Sequence, residues 1–338
     1  MTENAFILSA GRSGSTLLSN LLNGHSEILS TPESVFLVLM GIKYGNQSSF
    51  SEKDYKMISE HVWLRKKELK GSWNQDKTQL LAQLISQQPQ SITHILDLIY
   101  RSYNGVGNKI NPKVIVDKNP MYSRYLKVID RCYPKAKKII LVRDYRDRFV
   151  SIRKNQPFKF VSPGIIRGIA WARRNKVLYK YYCENKSSCL LVKYESLIKN
   201  TDLVLAEICQ FVGLQYEEEM KDFRLQYKHQ FESEEVSEEQ QKFLDNMHHL
   251  SSQPITNSRI GIWKELDKKT IQKLEVFCSK IGSEFGYVPS QSISAFSKLV
   301  VRIKLMPKIA KGIIVAAFRK VSFHLPFWLQ KILVNYLR

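Results

Sequence analysis

The 338-residue chain is poor in the residues that staple, stretch or bury a protein in unusual ways. Its five cysteines, Cys132, Cys183, Cys189, Cys209 and Cys278, are odd in number and show neither C-x-x-C nor Cys/His ligand spacing. A disulfide framework and a zinc site are both excluded as organising features, and no metal is expected. With 15 Gly, 11 Pro and no fixed-period repeat, collagen-like, low-complexity and solenoid classes fall away. Long hydrophobic runs are missing too. The longest purely apolar stretch of the C-terminal part, residues 313–318, is far short of a membrane span. Met1-Thr2-Glu3-Asn4 runs into an apolar strand without a basic segment and long apolar core, so no signal peptide is expected. A cytoplasmic protein, possible contact with the inner membrane face included, is the expectation.

Acidic residues are scarce as well: 31 Asp+Glu stand against 52 Lys+Arg, a formal charge of +21. Residues 297–338 hold six Lys and three Arg with no Asp or Glu, which supplies +9 and leaves +12 on the first 296 residues. Nucleic acid, a membrane surface or an anionic small ligand would each suit such a balance. What is abundant is core-forming material, 43% hydrophobic and 11% aromatic, enough to exclude wholesale disorder.

Apolar runs at residues 5–9, 114–116, 139–142 and 190–192 read as buried strands. Helical patterns lie between them at 16–23, 121–132, 144–154 and 165–182. This alternation predicts an α/β fold, a P-loop-type parallel sheet with helices on both faces and ligands at the strands' carboxyl ends. Residues 44–108 read as a helical insertion capping that edge. Residues 1–296 make the main domain and 297–338 a basic amphipathic helical tail. The acidic stretch 217–245 reads as a solvated face.

The first strand runs into Ser9-Ala10-Gly11-Arg12-Ser13-Gly14-Ser15-Thr16 and then a helix. Backbone N–H groups of such a turn converge on one point and make an anion cradle, although an ordinary glycine-rich turn has the same letters. The triphosphate-binding version needs Gly at position 9 and Lys at position 15, where this chain has Ser9 and Ser15. The loop cation is Arg12 instead, which disfavours a nucleotide kinase. A second anion motif closes the third strand: Arg143, with Ser151 eight residues later on a similar helical face. Arg146, Asp147 and Arg148 between them read as alternating charge on a surface helix.

Together, Gly11-Arg12-Ser13-Gly14-Ser15-Thr16 and Val142-Arg143-Asp144-x-Arg146 with Ser151 resemble the two donor-binding motifs of sulfotransferases that use 3′-phosphoadenosine-5′-phosphosulfate (PAPS). Tyr194-Glu195-Ser196-Leu197 and Ser258-Arg259-Ile260-Gly261-Ile262-Trp263 agree, so the resemblance spans residues 4–288. It is to the carbohydrate, tyrosylprotein and bacterial branch. The Lys-Ser-Gly-Thr-Thr-Trp loop and Arg-Lys-Gly tripeptide of the phenol and steroid enzymes are absent. The resemblance implies that Arg12, Ser13, Gly14, Ser15 and Thr16 hold the 5′-phosphosulfate and that Arg143 and Ser151 hold the 3′-phosphate. Ser258 and Arg259 fall at the phosphoadenosine edge.

Sulfuryl transfer needs a base for the acceptor and cations for the leaving group. Glu33, in Ser30-Thr31-Pro32-Glu33-Ser34, matches a catalytic Glu of several members, and Lys118 matches a Lys that neutralises the leaving group, with Arg12 sharing that task. His25 is the rival base, but it follows Gly24 at a helix stop, where a histidine commonly serves the helix end. Asp117 reads as a structural partner of Lys118. Trp171, Arg173 and Arg174 read as packing a helix on the sheet. The implied acceptor is a glycan, glycolipid or other lipid-linked hydroxyl, less so an amine; no nucleic acid is expected. The tail suits either an anionic membrane surface or a helical pair packed on the domain.

Overall fold

A computed structural model describes residues 2–62, 76–103, 109, 111–154, 164–222, 255–322, 325, 326 and 329. Its centre is a five-stranded, wholly parallel sheet: β1 (Glu3–Ser9), β2 (Ile28–Ser30), β3 (Val114–Lys118), β4 (Lys137–Val142) and β5 (Cys189–Lys193), in the order β2-β3-β1-β4-β5. Four of these are the expected strands. β2 is an addition: three residues show no periodicity, and the strand is set by its ladder to β3, Ile28 opposite Val114.

Alternation along the strands divides the core. Phe6, Leu8, Ile115 and Ile140 face one way, onto α2 (Phe36–Tyr44), α3 (Glu52–Val62), α4 (Lys77–Gln87), α5 (Ile92–Arg101) and α6 (Leu126–Cys132). Ala5, Ile7, Val116, Ile139 and Leu141 face the other way, onto α1 (Ser15–Asn23), α9 (Tyr194–Lys199) and α10 (Thr201–Phe211). A third cluster joins α7 (Tyr145–Lys154), α8 (Gly164–Glu184) and α11 (Lys268–Glu284) around the fully buried Trp171. At roughly 1.5–3 kcal/mol for each fully buried large apolar side chain, these three clusters supply the main drive for the fold.

Differences from the sequence reading have local causes. The described helices of 44–108 share one core with a sheet face, and α5 bonds near the amino end of β1, where Asn4 donates to Asp97 and Arg101 to Thr2. The insertion is therefore a covering layer as well as an expected cap. The single helix expected over 121–132 is a 3-10 turn, Tyr122–Arg124, followed by α6, because Tyr125 at φ −127° breaks the helical path. Among the described residues the tail forms one long helix, α12 (Ala295–Ser322); most of residues 323–338, where the second member of an expected helical pair would fall, lie outside them, Phe323, Phe327 and Trp328 included. Of the acidic stretch, 223–245 also lies outside. Glu217 takes the Ser26 backbone N–H and hydroxyl, which ties it to the body.

Candidate active site

The sheet order places β1 between β3 and β4, so the chain leaves β1 at the switch point where a parallel sheet opens a crevice. The carboxyl end of every strand delivers a polar group to this edge. β1 ends in the loop 9–14, β2 leads to Glu33, β3 ends at Lys118, β4 leads to Arg143 and β5 to Tyr194.

Gly11, Arg12 and Gly14 have φ of 76°, 58° and 92°. Successive left-handed residues turn their N–H groups toward one concavity, which continues into the start of α1. Arg12 pays a steric cost that glycine would avoid, so the cation at this position is held in strain. At Gly14 a side chain is excluded: an added Cβ would lie 2.4 Å from Tyr194 Cδ2. The Ser13 hydroxyl is buried and has no hydrogen-bond partner.

Lys118 Nζ donates to Thr16 Oγ1 and to Glu33 Oε1, both at 2.9 Å. A cation that the loop lacks at position 15 therefore reaches the loop from β3. The expected Asp117–Lys118 pairing does not form, because consecutive strand residues face opposite ways. Asp117 instead accepts from Tyr100 Oη at 2.5 Å and from Tyr122 Oη. Burial pushes the Asp117 carboxyl up to about 6, against these hydrogen bonds. His25 lies in the opposite direction: Nε2 bonds the Gln215 carbonyl at 2.8 Å, and Nδ1 accepts the Glu27 N–H at 2.9 Å. Both ring nitrogens are thus committed, Nδ1 within the turn after α1 and Nε2 to the segment that follows α10. The Glu33 side chain, in contrast, is 40% exposed.

Arg143 is 3% exposed. Its guanidinium lies 4.3 Å from the Tyr194 ring centre, Nη2 donates to the Arg259 carbonyl at 2.7 Å, and Nε is buried without a partner. Ser151 is buried on α7, two turns on. Ser258 is exposed, and its hydroxyl bonds that of Thr256 at 2.6 Å, so its side chain is engaged locally. Arg12 is exposed as a residue, yet desolvation first and then the charges of Arg259 and Arg143 hold its guanidinium below the usual arginine range, with Glu33 opposing. Three arginines thus converge with one carboxylate on a cradle of backbone N–H groups. Two buried donors there are unfilled, and this chemistry fits a phosphorylated, sulfated nucleotide. Among the described residues no group of three His, Cys, Asp or Glu could hold a metal ion.

The alternating charges of α7 are not a surface pattern. Arg146, Asp147 and Arg148 are all buried. Arg146 donates to both Asp144 oxygens and lies 3.9 Å from the Trp263 ring centre. Asp147 accepts the N–H groups of Gly261 at 2.8 Å and Trp263 at 2.9 Å, latching the Arg259 segment over the site. Arg148 donates to the carbonyls of Gly11 at 2.7 Å, Ala10 at 3.0 Å and Arg167 at 3.0 Å. Arg174 adds a bond to Ala10 at 3.0 Å. Capturing the loop's carbonyls from behind leaves the N–H groups beyond Gly11 directed forward, while the Gly11 N–H donates to Ser9 Oγ at 3.3 Å. Burial, then Arg174, pulls Arg148 down to about 9, which still leaves it charged at neutral pH. These latches escaped the sequence reading because alternating charge on a helix is normally solvated; the signal was that α7 directly follows a central strand.

A family model described as the sulfotransferase family matches residues 4–218. Among solved structures, the chain is similar to the sulfotransferase domain from the curacin biosynthetic pathway, at 22% identity and TM-score 0.57, over 86% of this chain and 99% of that one. It is also similar to the sulfotransferase domain of the Synechococcus PCC 7002 olefin synthase, at 22% identity and TM-score 0.52, over 82% and 94% of the two chains. No curated protein matches the sequence.

Proposed function

Because the chain belongs to the sulfotransferase family, we propose that it moves a sulfuryl group from PAPS to a hydroxyl, in preference to an amine, of a glycan, glycolipid or other lipid-linked acceptor. The observation that carries the donor assignment is the convergence of Arg12, Arg143 and Arg259 on the loop that buries the unpartnered Ser13 hydroxyl. When bound, PAPS supplies an activated sulfuryl group on a phosphate leaving oxygen.

In this reading, the N–H groups of residues 12–16, with Ser13, Ser15 and Thr16, hold the 5′ end. Arg143, Ser151 and the 258–259 segment serve the 3′-phosphate. Lys118, already on Thr16, offsets charge on the leaving oxygen, as does Arg12. Glu33 is the base: it is exposed enough to meet an acceptor and is tied through Lys118 to the loop. The hydroxyl proton passes to its carboxylate as the new S–O bond forms and the bond to phosphate breaks. The lipid-linked acceptor is suggested by the basic, apolar tail.

The test pairs two measurements. Calorimetry should show 3′-phosphoadenosine 5′-phosphate binding far more tightly than AMP, with the advantage lost in Arg143→Ala. Labelled PAPS, incubated with cell extract split into polar-glycan and lipid fractions, should label the lipid or glycan fraction. Equal affinity for the two nucleotides would overturn the donor assignment, and label confined to neither fraction would overturn the acceptor class.

A further inference from the structure

The helix α12 (Ala295–Ser322) meets the domain through α11 and α8, and it presents an apolar stripe that nothing covers among the described residues. Phe296, Leu299, Ile303, Met306, Ile313, Ile314 and Val321 are between 47% and 75% exposed. At 100° per residue their positions project onto a single arc of about 100°. Val301, Leu305 and Ile309, on the other side, are half-buried. Such a stripe is costly in water, and domain packing does not account for it.

We propose that α12 docks the protein on an anionic lipid bilayer surface, lying along it with this stripe inserted at the headgroup boundary. Charge selects the occupant. Residues 297–338 carry nine cations and no carboxylate. Of these, Lys298, Arg302, Lys304 and Lys308 are exposed on α12 and have no carboxylate partner among the described residues. A second copy covering the stripe would set an acid-free basic segment against another, which is repulsive. An anionic bilayer neutralises those cations and takes the apolar side chains at once, the pattern of an interfacial helix. Spanning is excluded for the described helices, since none is long and apolar enough to cross a membrane. This inference does not rest on the donor or acceptor assignment.

The test uses the full chain and sedimentation with vesicles of phosphatidylcholine, alone or mixed with phosphatidylglycerol. Two triple variants replace exposed side chains only: Leu299→Gln, Ile303→Gln, Met306→Gln, and Arg302→Glu, Lys304→Glu, Lys308→Glu. One cation near an anionic surface is worth about fivefold in partitioning, so the charge variant should lose binding by at least about tenfold. The apolar variant should lose a similar amount, both with unchanged circular dichroism, and high salt should weaken the native chain. Should the apolar variant misfold, the charge variant and the salt dependence decide alone. Indifference to lipid charge, or native-like binding by the charge variant, overturns the proposal. So does a dimer of the native chain that dissociates in the apolar variant, which would make a second copy the occupant.

Discussion

Gly14→Ala should cripple nucleotide binding through the Tyr194 ring packed against it. At φ 92°, an alanine costs about 1–2 kcal/mol. Its Cβ would stand 2.4 Å from Tyr194 Cδ2 and 2.7 Å from Cε2, so the ring has to retreat by about 1 Å to reach ordinary contact. That ring lies 4.3 Å from the Arg143 guanidinium, and a desolvated cation–π contact is worth about 1–2 kcal/mol. In the free variant the loop relaxes and escapes both costs, whereas binding has to restore the nest, so the penalty appears in affinity. The two contributions give about 2–4 kcal/mol, roughly 30- to 900-fold. Calorimetry with 3′-phosphoadenosine 5′-phosphate reads it directly, and a double-mutant cycle with Tyr194→Ala isolates the cause. With the ring gone, Gly14→Ala should retain only the cost of its φ. Affinity within about threefold of native in the single variant, or strict additivity in the cycle, would refute this reasoning.

Glu33→Gln should lose about 10²- to 10⁴-fold in turnover while nucleotide affinity is undiminished, since Glu33 opposes the cations that bind the nucleotide; full activity together with an inactive His25→Ala would make His25 the base. Arg148→Ala should lower unfolding free energy by about 2–4 kcal/mol in urea, because it strips hydrogen bonds from the Gly11 and Arg167 carbonyls; a loss below about 1 kcal/mol would show that the loop does not depend on the clamp. Asp117, pushed up to about 6 by burial, binds its proton more tightly when folded. Its contribution is therefore largest below the unfolded pKa of about 4 and is lost as pH rises to about 6, a fall of about 3 kcal/mol. Urea titrations across that window should show the fall in the native protein and not in Asp117→Asn.

The legible parts of this protein were those that repeat a local rule. Four strands showed as apolar runs because parallel strands are buried on both faces, and the loop showed because a turn that cradles an anion needs glycines at set positions. β2 was illegible because three residues have no period and Ser30 ends them, so only pairing with β3 defines it. The same limit explains Asp117. Its neighbour in sequence is Lys118, but its partners are Tyr100, from a helix seventeen residues earlier, and Tyr122, beyond the strand. Sequence adjacency suggested an ion pair that strand alternation forbids.

The α7 latches carry this argument furthest, because they show why a charged sequence was placed in the interior. An anion cradle directs backbone N–H groups at its ligand, and the carbonyls on the other side of the same peptides then need donors. Arg148 and Arg174 provide them at Ala10 and Gly11. Asp147 performs the converse task for Gly261 and Trp263, whose N–H groups would otherwise lack an acceptor as their segment closes over Arg143. The result is a site with excess positive charge in front and satisfied polar groups behind. Arg12, strained at φ 58° and repelled by Arg259 and Arg143, is then the member of the cluster that gains most when an anion arrives. Ligand binding and stability are coupled by that gain, so an anionic nucleotide should raise the melting temperature of the native protein more than that of Arg12→Ala.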